Sequence, residues 1–353
     1  MFAALEGRIA ESQTKTTMQN EASIEKAKEL AKKEGLKGWN MAKEMMLKHQ
    51  TNSTELRSAI NHVMLEYRPD FFRSAMVSLC SQAVNGGKEN TYHCGAALTL
   101  IGRAIGIHDD IIDNLKTRNN HPTVYGKFGK EIALILSNAL SFKGFTLLGK
   151  NFQDALPTQK RAEIFDTINR VWSEQCESET AELRTRAQTN VPIQVCLNKI
   201  MKRASELEAI TRIGGILGQG SQDEIEILGK YGRTLGMMSL LRDEIIDMLE
   251  LTMLRHRIRY ESLPLPLIYA AQKPQVRSKI IKLIAKKRLT VADLKMISKS
   301  VNEAGGMSYV AKYISRKADE AYTYLDQLKN KKEELKLLIS SLTISPEERQ
   351  LAF

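Results

Sequence analysis

Long windows of helical periodicity, unbroken by proline, constrain this chain more than any other feature. The eight prolines are Pro69, Pro122, Pro157, Pro192, Pro264, Pro266, Pro274 and Pro346. Proline breaks a helix interior because it lacks an N–H donor and clashes with the preceding turn. From Gly129 to Leu148, Ile132, Ala133, Leu136, Ala139 and Leu140 recur with helical spacing, and similar patterns run over Ala162–Ala187 and Asp223–Leu254. Strand-like alternation is hard to find. The spacing predicts an all-α fold, with helices near 36–49, 53–66, 70–84, 91–115, 129–150, 158–188, 193–217, 222–251, 264–272, 276–286, 291–303 and 308–342. Antiparallel helices of this length form a bundle around a tall central cavity, with sites on the facing interior surfaces. A Lys/Glu-rich stretch near 4–34 reads as a surface helix, so we expect an N-terminal extension over 1–34 and a helical domain over 35–353.

Two of these helical windows carry carboxylate clusters, about 130 residues apart. One is Asp109-Asp110-Ile111-Ile112-Asp113 and the other is Asp243-Glu244-Ile245-Ile246-Asp247. In each, the i and i+4 members share a helix face. Two such faces across a cleft concentrate negative charge that bound cations would hold together. Hard oxygen ligands without nearby Cys or paired His point to Mg²⁺, which usually bridges to a substrate phosphate. A lone i,i+4 pair would read equally well as a solvated helix face. His108 adjoins the first cluster without a second local His, which favours packing or hydrogen bonding over metal ligation.

The net charge of +11 suits a polyanionic partner, but the basic residues are scattered along helical patterns, without a zinc finger or aromatic RNA-binding signature. No nucleic-acid partner is expected. Cys80, Cys94, Cys176 and Cys196 lack metal spacing and read as free thiols. The N-terminus lacks a signal-peptide pattern, and no apolar run appears long enough for a transmembrane segment. These features predict a cytoplasmic protein. A di-metal carboxylate bundle is excluded, because it needs Glu-x-x-His pairs and no His here follows a Glu by three residues.

The segment HDDIIDNLKTRNNHPTVYGKFG resembles the first aspartate-rich block of the trans-isoprenyl diphosphate synthases. Asp109, Asp110 and Asp113 match that family's D-D-x-x-D, Arg118 its first arginine, and Pro122-Thr123 with Lys127-Phe128-Gly129 continue the match. GKYGRTLGMMSLLRDEIIDM resembles its second block, Lys202 aligns with the lysine of a K-T pair, and LPLPLIYAA resembles the stretch after the second motif. The resemblance covers about residues 50–300. It implies a bundle of the isoprenoid synthase type, a homodimer, and three Mg²⁺ ions with substrate bound. The metal set would be Asp109, Asp110, Asp113, Asp243 and Asp247, with Asp109, Asp113 and Asp243 as direct ligands. Asp110, Glu244 and Asp247 would act through water or neighbouring ligands. Arg118 and Lys202 would hold diphosphate oxygens, so that an allylic prenyl diphosphate loses its leaving group to give a carbocation.

The sequence departs from the family where a second substrate, isopentenyl diphosphate, would bind. In an ungapped register Arg73 matches the last arginine of an upstream basic motif, while Asp70 replaces its lysine. In a shifted register Arg68-Pro69 closes the motif and Leu65 replaces the lysine. The family's histidine position holds Gly102 and the second arginine position holds Asn119. A carboxylate about 4–5 Å from a diphosphate, at an effective dielectric of ~20, costs on the order of several kcal/mol. A nearly complete allylic site beside an eroded second site predicts a terpene-synthase-like enzyme that cyclises, deprotonates or hydrates the cation. Ile105 and Ala104, four and five residues before the first motif, are not aromatic and allow a substrate of fifteen carbons or longer. Phe71, Phe72, Met76, Met237 and Met238 line the pocket or fill the core. Against the terpene-synthase reading, the second motif keeps prenyltransferase spacing, since Leu251 stands at i+8. The alternatives are a chain-elongating prenyltransferase and a non-catalytic partner subunit. The basic stretch Arg255, His256, Arg257 and Arg259 reads equally as phosphate contacts or as a surface loop.

Overall fold

The computed structural model describes residues 15–118, 121–151 and 156–343. The helices run in the order α1 (Lys15–Leu47), α2 (Thr54–Asn61), α3 (Phe72–Ala83), α4 (Tyr92–Ile112), α5 (Val124–Asn151), α6 (Thr158–Thr185), α7 (Ile193–Arg203) and α8 (Ser205–Leu217). They continue as α9 (Gln222–Leu249), α10 (Leu251–Tyr260), α11 (Leu265–Ala271), α12 (Pro274–Ile284), α13 (Val291–Glu303), α14 (Gly306–Asp326) and α15 (Lys332–Leu342). A short antiparallel pairing of Thr117–Arg118 with His121–Pro122 connects α4 to α5, and it is too small to alter the all-α class.

α4 packs on α3 and α5, α9 packs on α8 and α14, and α3 lies against α8 between the two halves. The helix phase of α9 explains its position. Leu228, Tyr231, Leu235, Met238, Leu241, Ile245 and Met248 are buried at three- and four-residue steps, which leaves Asp243 and Asp247 off the packed stripe. Ser221 and Glu224 form a capping box that satisfies orphan amides at its start. The fully buried Tyr231 hydroxyl donates to the Leu335 carbonyl at 2.9 Å, tying α9 to α15. Met76 and Met238 are core side chains as well.

The expected boundary at residue 34 falls inside α1. One helix replaces the two expected, and its inner face, Ile24, Ala27, Ala31, Trp39, Ala42 and Met46, is buried against α3, α4 and α15. Small residues allow the approach: a Cβ on Gly38 would lie 2.0 Å from Ser74 Oγ. The buried Glu34 carboxylate accepts from Ser78 Oγ at 3.1 Å and Gln82 Nε2 at 3.0 Å on α3.

α5 differs from expectation too. Residues Val124–Gly149 are long and apolar enough to cross a bilayer by length and composition, contrary to the sequence-based reading. The apolarity is two-sided. Ala133, Leu136, Leu140, Leu147 and Leu148 are buried, while Leu134, Ile135 and Phe142 face outward, Phe142 at 74% exposure. Gly129 bends the start of this helix at φ 84°, a left-handed backbone region that glycine adopts without a Cβ clash.

Candidate active site

The first cluster ends α4. Asp109 and Asp110 are its last acidic residues, and Asp113 caps it, its amide donating to the Asp109 carbonyl at 2.8 Å. Each carboxylate has a separate guanidinium partner. Arg118, carried back by the short hairpin, donates from Nη2 to Asp110 Oδ1 at 2.9 Å. Arg186, just past α6, donates to Asp113 Oδ1 at 3.1 Å and to the Ile112 carbonyl at 2.7 Å. Arg203, at the end of α7, donates to Asp109 Oδ2 at 3.2 Å and its Nε lies 3.7 Å from Glu179 Oε1.

The second cluster projects from α9. Asp247 and Glu244 share the buried Arg257 of α10, with Nη1 2.5 Å from Asp247 Oδ2 and Nη2 2.9 Å from Glu244 Oε1. Arg257 Nε also meets Glu261 at 3.0 Å. The basic stretch 255–259 is therefore helical and split in function. Arg257 faces the cluster, His256 Nε2 pairs with the Asp113 carbonyl at 2.9 Å, and Arg259 donates to the Lys286 carbonyl at the surface. Through His256 and Arg257, α10 touches both clusters.

The crowding shows in the acid–base behaviour. Burial pushes Asp110, Asp113 and Asp243 up to about 6, although Arg118 opposes it at Asp110, Arg203 at Asp113, and Arg242 and Arg118 at Asp243. Burial likewise raises Asp109 and Asp247 against Arg203 and Arg257 respectively. Glu179, which the sequence reading missed, is pushed up to about 7 by burial, with Asp109 and Asp113 adding repulsion. At these carboxylates desolvation by burial outweighs the arginines that face them. The donors are all oxygen, the kind that suits Mg²⁺, but among the described residues no three carboxylates converge as a metal site, because arginines hold them in this arrangement.

Two predicted contacts lie elsewhere. Lys202 pairs with Glu177 of α6 on the partly exposed side of α7, while its neighbour Arg203 reaches Asp109. One residue turns the side chain by about 100° around a helix, which separates the two outcomes. Arg73 pairs with Asp70 and with Glu206 Oε1 at 2.7 Å. A Cβ on Gly102 would lie 2.0 Å from Arg73 Nε, so the missing side chain at 102 makes room for this guanidinium. That contact matches the register containing Arg73; Leu65, of the shifted register, is exposed. Burial alone would raise the Asp70 pKa, but Arg73 and Arg103 outweigh it and hold the carboxyl below its ordinary value. Asn119 lies outside the described residues. His108 Nε2 pairs with Ser137 Oγ at 2.7 Å, linking α4 to α5.

Below the clusters sits a buried ion pair that local spacing did not reveal. Lys199 Nζ lies 2.7 Å from Glu182 Oε2 and 2.7 Å from Ser262 Oγ. The backbone amide of Ser262 also donates to Glu182. Burial alone would raise Glu182; Lys199 and Arg257 overcome it and hold the carboxyl at about 2.

Comparison with known proteins identifies the family and the fold. The polyprenyl synthetase family pattern matches residues 54–301. A geranylgeranyl diphosphate synthase of Methanosarcina mazei is 26% identical over 282 residues, 78% of this chain and 85% of that protein. A short chain isoprenyl diphosphate synthase of Methanothermobacter thermautotrophicus is 28% identical over 176 residues, 50% of this chain and 53% of that one. Among solved structures, geranylgeranyl pyrophosphate synthetase from Pyrococcus horikoshii superposes with a TM-score of 0.76 at 21% identity, covering 94% of this chain and 100% of that one. Heptaprenyl diphosphate synthase from Staphylococcus aureus gives 0.77 at 19% identity, covering 88% and 97%. With its helical fold, its paired carboxylate faces and a family match spanning most of its length, this chain belongs to the polyprenyl synthetase family.

Proposed function

We propose that the protein is a Mg²⁺-dependent prenyltransferase that adds isopentenyl diphosphate to an allylic prenyl diphosphate. The observation that carries this reading is that α10 joins both carboxylate clusters, His256 reaching the Asp113 carbonyl and Arg257 reaching Asp247, on a chain whose relatives are named as geranylgeranyl and short chain isoprenyl diphosphate synthases. Asp109, Asp113 and Asp243 hold the metal directly, and Asp110 and Asp247 support them through the arginines they pair with. Bound Mg²⁺ supplies Lewis acidity to the leaving diphosphate. Arg203 and Arg118 leave their carboxylates to contact diphosphate oxygens, which favours loss of the allylic leaving group. Lys202 serves the outer rim. The outward apolar face of α5 fits a second copy of the chain, and the working form is a cytoplasmic homodimer.

A second reading, the terpene-synthase-like one, keeps the same ionisation but quenches the cation within the cavity. Arg73 favours it, because Asp70 and Glu206 already neutralise the residue that would receive the second diphosphate. One incubation separates the two. Pure protein, Mg²⁺ and a C15 allylic diphosphate are combined with and without isopentenyl diphosphate. A longer diphosphate formed only with isopentenyl diphosphate supports elongation. Hydrocarbon or alcohol formed without it replaces elongation with the second reading.

A further inference from the structure

The basic residues are spread along the chain, but most of its net positive charge is not: summed over the rest of the chain, acidic residues nearly offset them, and one stretch is the exception. Between Lys273 and Lys299, nine of 27 residues are Lys or Arg and one is Asp, so this stretch carries +8 of the total +11. It comprises α12, α13 and the turn between them, and all nine basic side chains are exposed. Asp293 is occupied by Lys286 at 2.6 Å and accepts from the amide of Thr290, the N-cap of α13. Lys299 faces Glu303 at 3.8 Å. Lys273 lies over the Tyr269 ring at 4.8 Å. Among the described residues no ion pair reaches Arg277, Lys279, Lys282, Lys287, Arg288 or Lys295. A solvated face of ordinary composition would mix both signs.

Apolar side chains stand within this charge. Val291 is 53% exposed and Met296 44%, both on α13. Exposed apolar residues among unpaired lysines and arginines suit a surface that is anionic at its plane and oily just beneath it. The face is also fixed to the active site. α13 packs against α10, Arg259 of α10 donates to the Lys286 carbonyl, and His256 of the same helix holds the Asp113 carbonyl. A ligand on this face therefore lies next to the helix that touches both carboxylate clusters.

We propose that the α12–α13 face docks the protein on an anionic phospholipid bilayer. The proposal is independent of whether the bound prenyl diphosphate is elongated or quenched. The docked orientation would bring the site close to the phase in which long prenyl chains dissolve.

Vesicle co-sedimentation of the full chain tests it, using phosphatidylcholine alone and phosphatidylcholine with phosphatidylglycerol. Binding is expected only with phosphatidylglycerol and should weaken as salt rises from 50 to 300 mM, because screening shortens the reach of surface charge. The triple variant Lys287→Glu, Arg288→Glu and Lys295→Glu should lose binding by more than about a hundredfold, at about fivefold per lost basic residue. Its diphosphate release from a water-soluble C10 substrate should be unchanged. The matched variant Lys26→Glu, Lys32→Glu and Lys33→Glu makes the same charge change on α1 and should retain binding. Absence of binding to phosphatidylglycerol vesicles overturns the proposal. So does equal loss in both triple variants, and so does capture of a single-stranded RNA at concentrations where vesicles stay free.

Discussion

Arg203 Nη2 donates to Asp109 Oδ2 at 3.2 Å, across from α7 to the end of α4. The guanidinium spans Asp109 and Glu179, a two-pronged role that an ammonium fills poorly. Arg203→Lys should therefore lower kcat/KM for the allylic substrate by about 10- to 100-fold, an activation cost of about 1.4–2.7 kcal/mol. Lys202→Ala should stay within about threefold of wild type, because its partner is Glu177 at the rim and exposed pairs contribute little. Steady-state kinetics on both variants checks the assignment, and the reverse ranking would return the role to Lys202.

The Arg73 guanidinium fills the space over Gly102. Gly102→Ala should destabilise the fold by about 1–3 kcal/mol through overpacking, read as a lower urea midpoint. Glu206→Gln removes one of the two carboxylates on Arg73 and should lower the KM for isopentenyl diphosphate severalfold. An unchanged KM would show that Arg73 does not contact that substrate.

Lys199 and Glu182 are a buried pair bridged by the Ser262 hydroxyl, which accepts from Lys199 and donates to Glu182. Lys199→Met leaves the Glu182 carboxylate without its closest cation and should cost about 3–5 kcal/mol. Adding Glu182→Leu should recover part of that loss, since the uncompensated charge disappears. Glu182 is depressed to about 2, so its contribution is complete above its unfolded value near 4.5 and fades as pH falls toward 2. Acid unfolding of Glu182→Gln should lack that component.

The clusters act in the opposite direction. Asp110, Asp113 and Asp243 are raised to about 6, so between about pH 4 and 6 the folded metal-free protein holds protons that the unfolded chain has released. Stability then falls as pH rises through this window. With EDTA, the thermal midpoint should be a few degrees higher at pH 5 than at pH 7.5, and Mg²⁺ should stabilise more at pH 7.5. A metal-free midpoint that rises from pH 5 to 7.5 would contradict the crowding inferred for these residues.

The all-α class and both carboxylate clusters were legible in the sequence, because helical period and i,i+4 spacing are local properties. Arg118 was legible for the same reason, standing a few residues past its cluster. The cations that answer the clusters from afar were not. Arg186 just past α6, Lys199 and Arg203 of α7 and Arg257 of α10 are brought to Asp113, Glu182, Asp109 and Asp247 by tertiary packing alone. Glu179 and Glu182 did leave a trace, a three-residue carboxylate step on one helix, but that pattern also fits a solvated face. α1 was misjudged because its buried stripe uses Ala27, Ala31 and Ala42, residues that pack by closeness rather than by bulk. The charge of α12–α13 was present in the sequence, and it took the fold to show that all of it is exposed.

The central claim is that both clusters hold one metal–diphosphate assembly. Inorganic diphosphate release from a C15 allylic diphosphate, measured against Mg²⁺ for wild type, Asp109→Asn and Asp243→Asn, tests it most directly. The account predicts release that requires Mg²⁺ in wild type and falls at least about a thousandfold in either variant, a loss of about 4 kcal/mol in transition-state stabilisation, with folding retained by circular dichroism. Release in EDTA, or wild-type release from either folded variant, would contradict it.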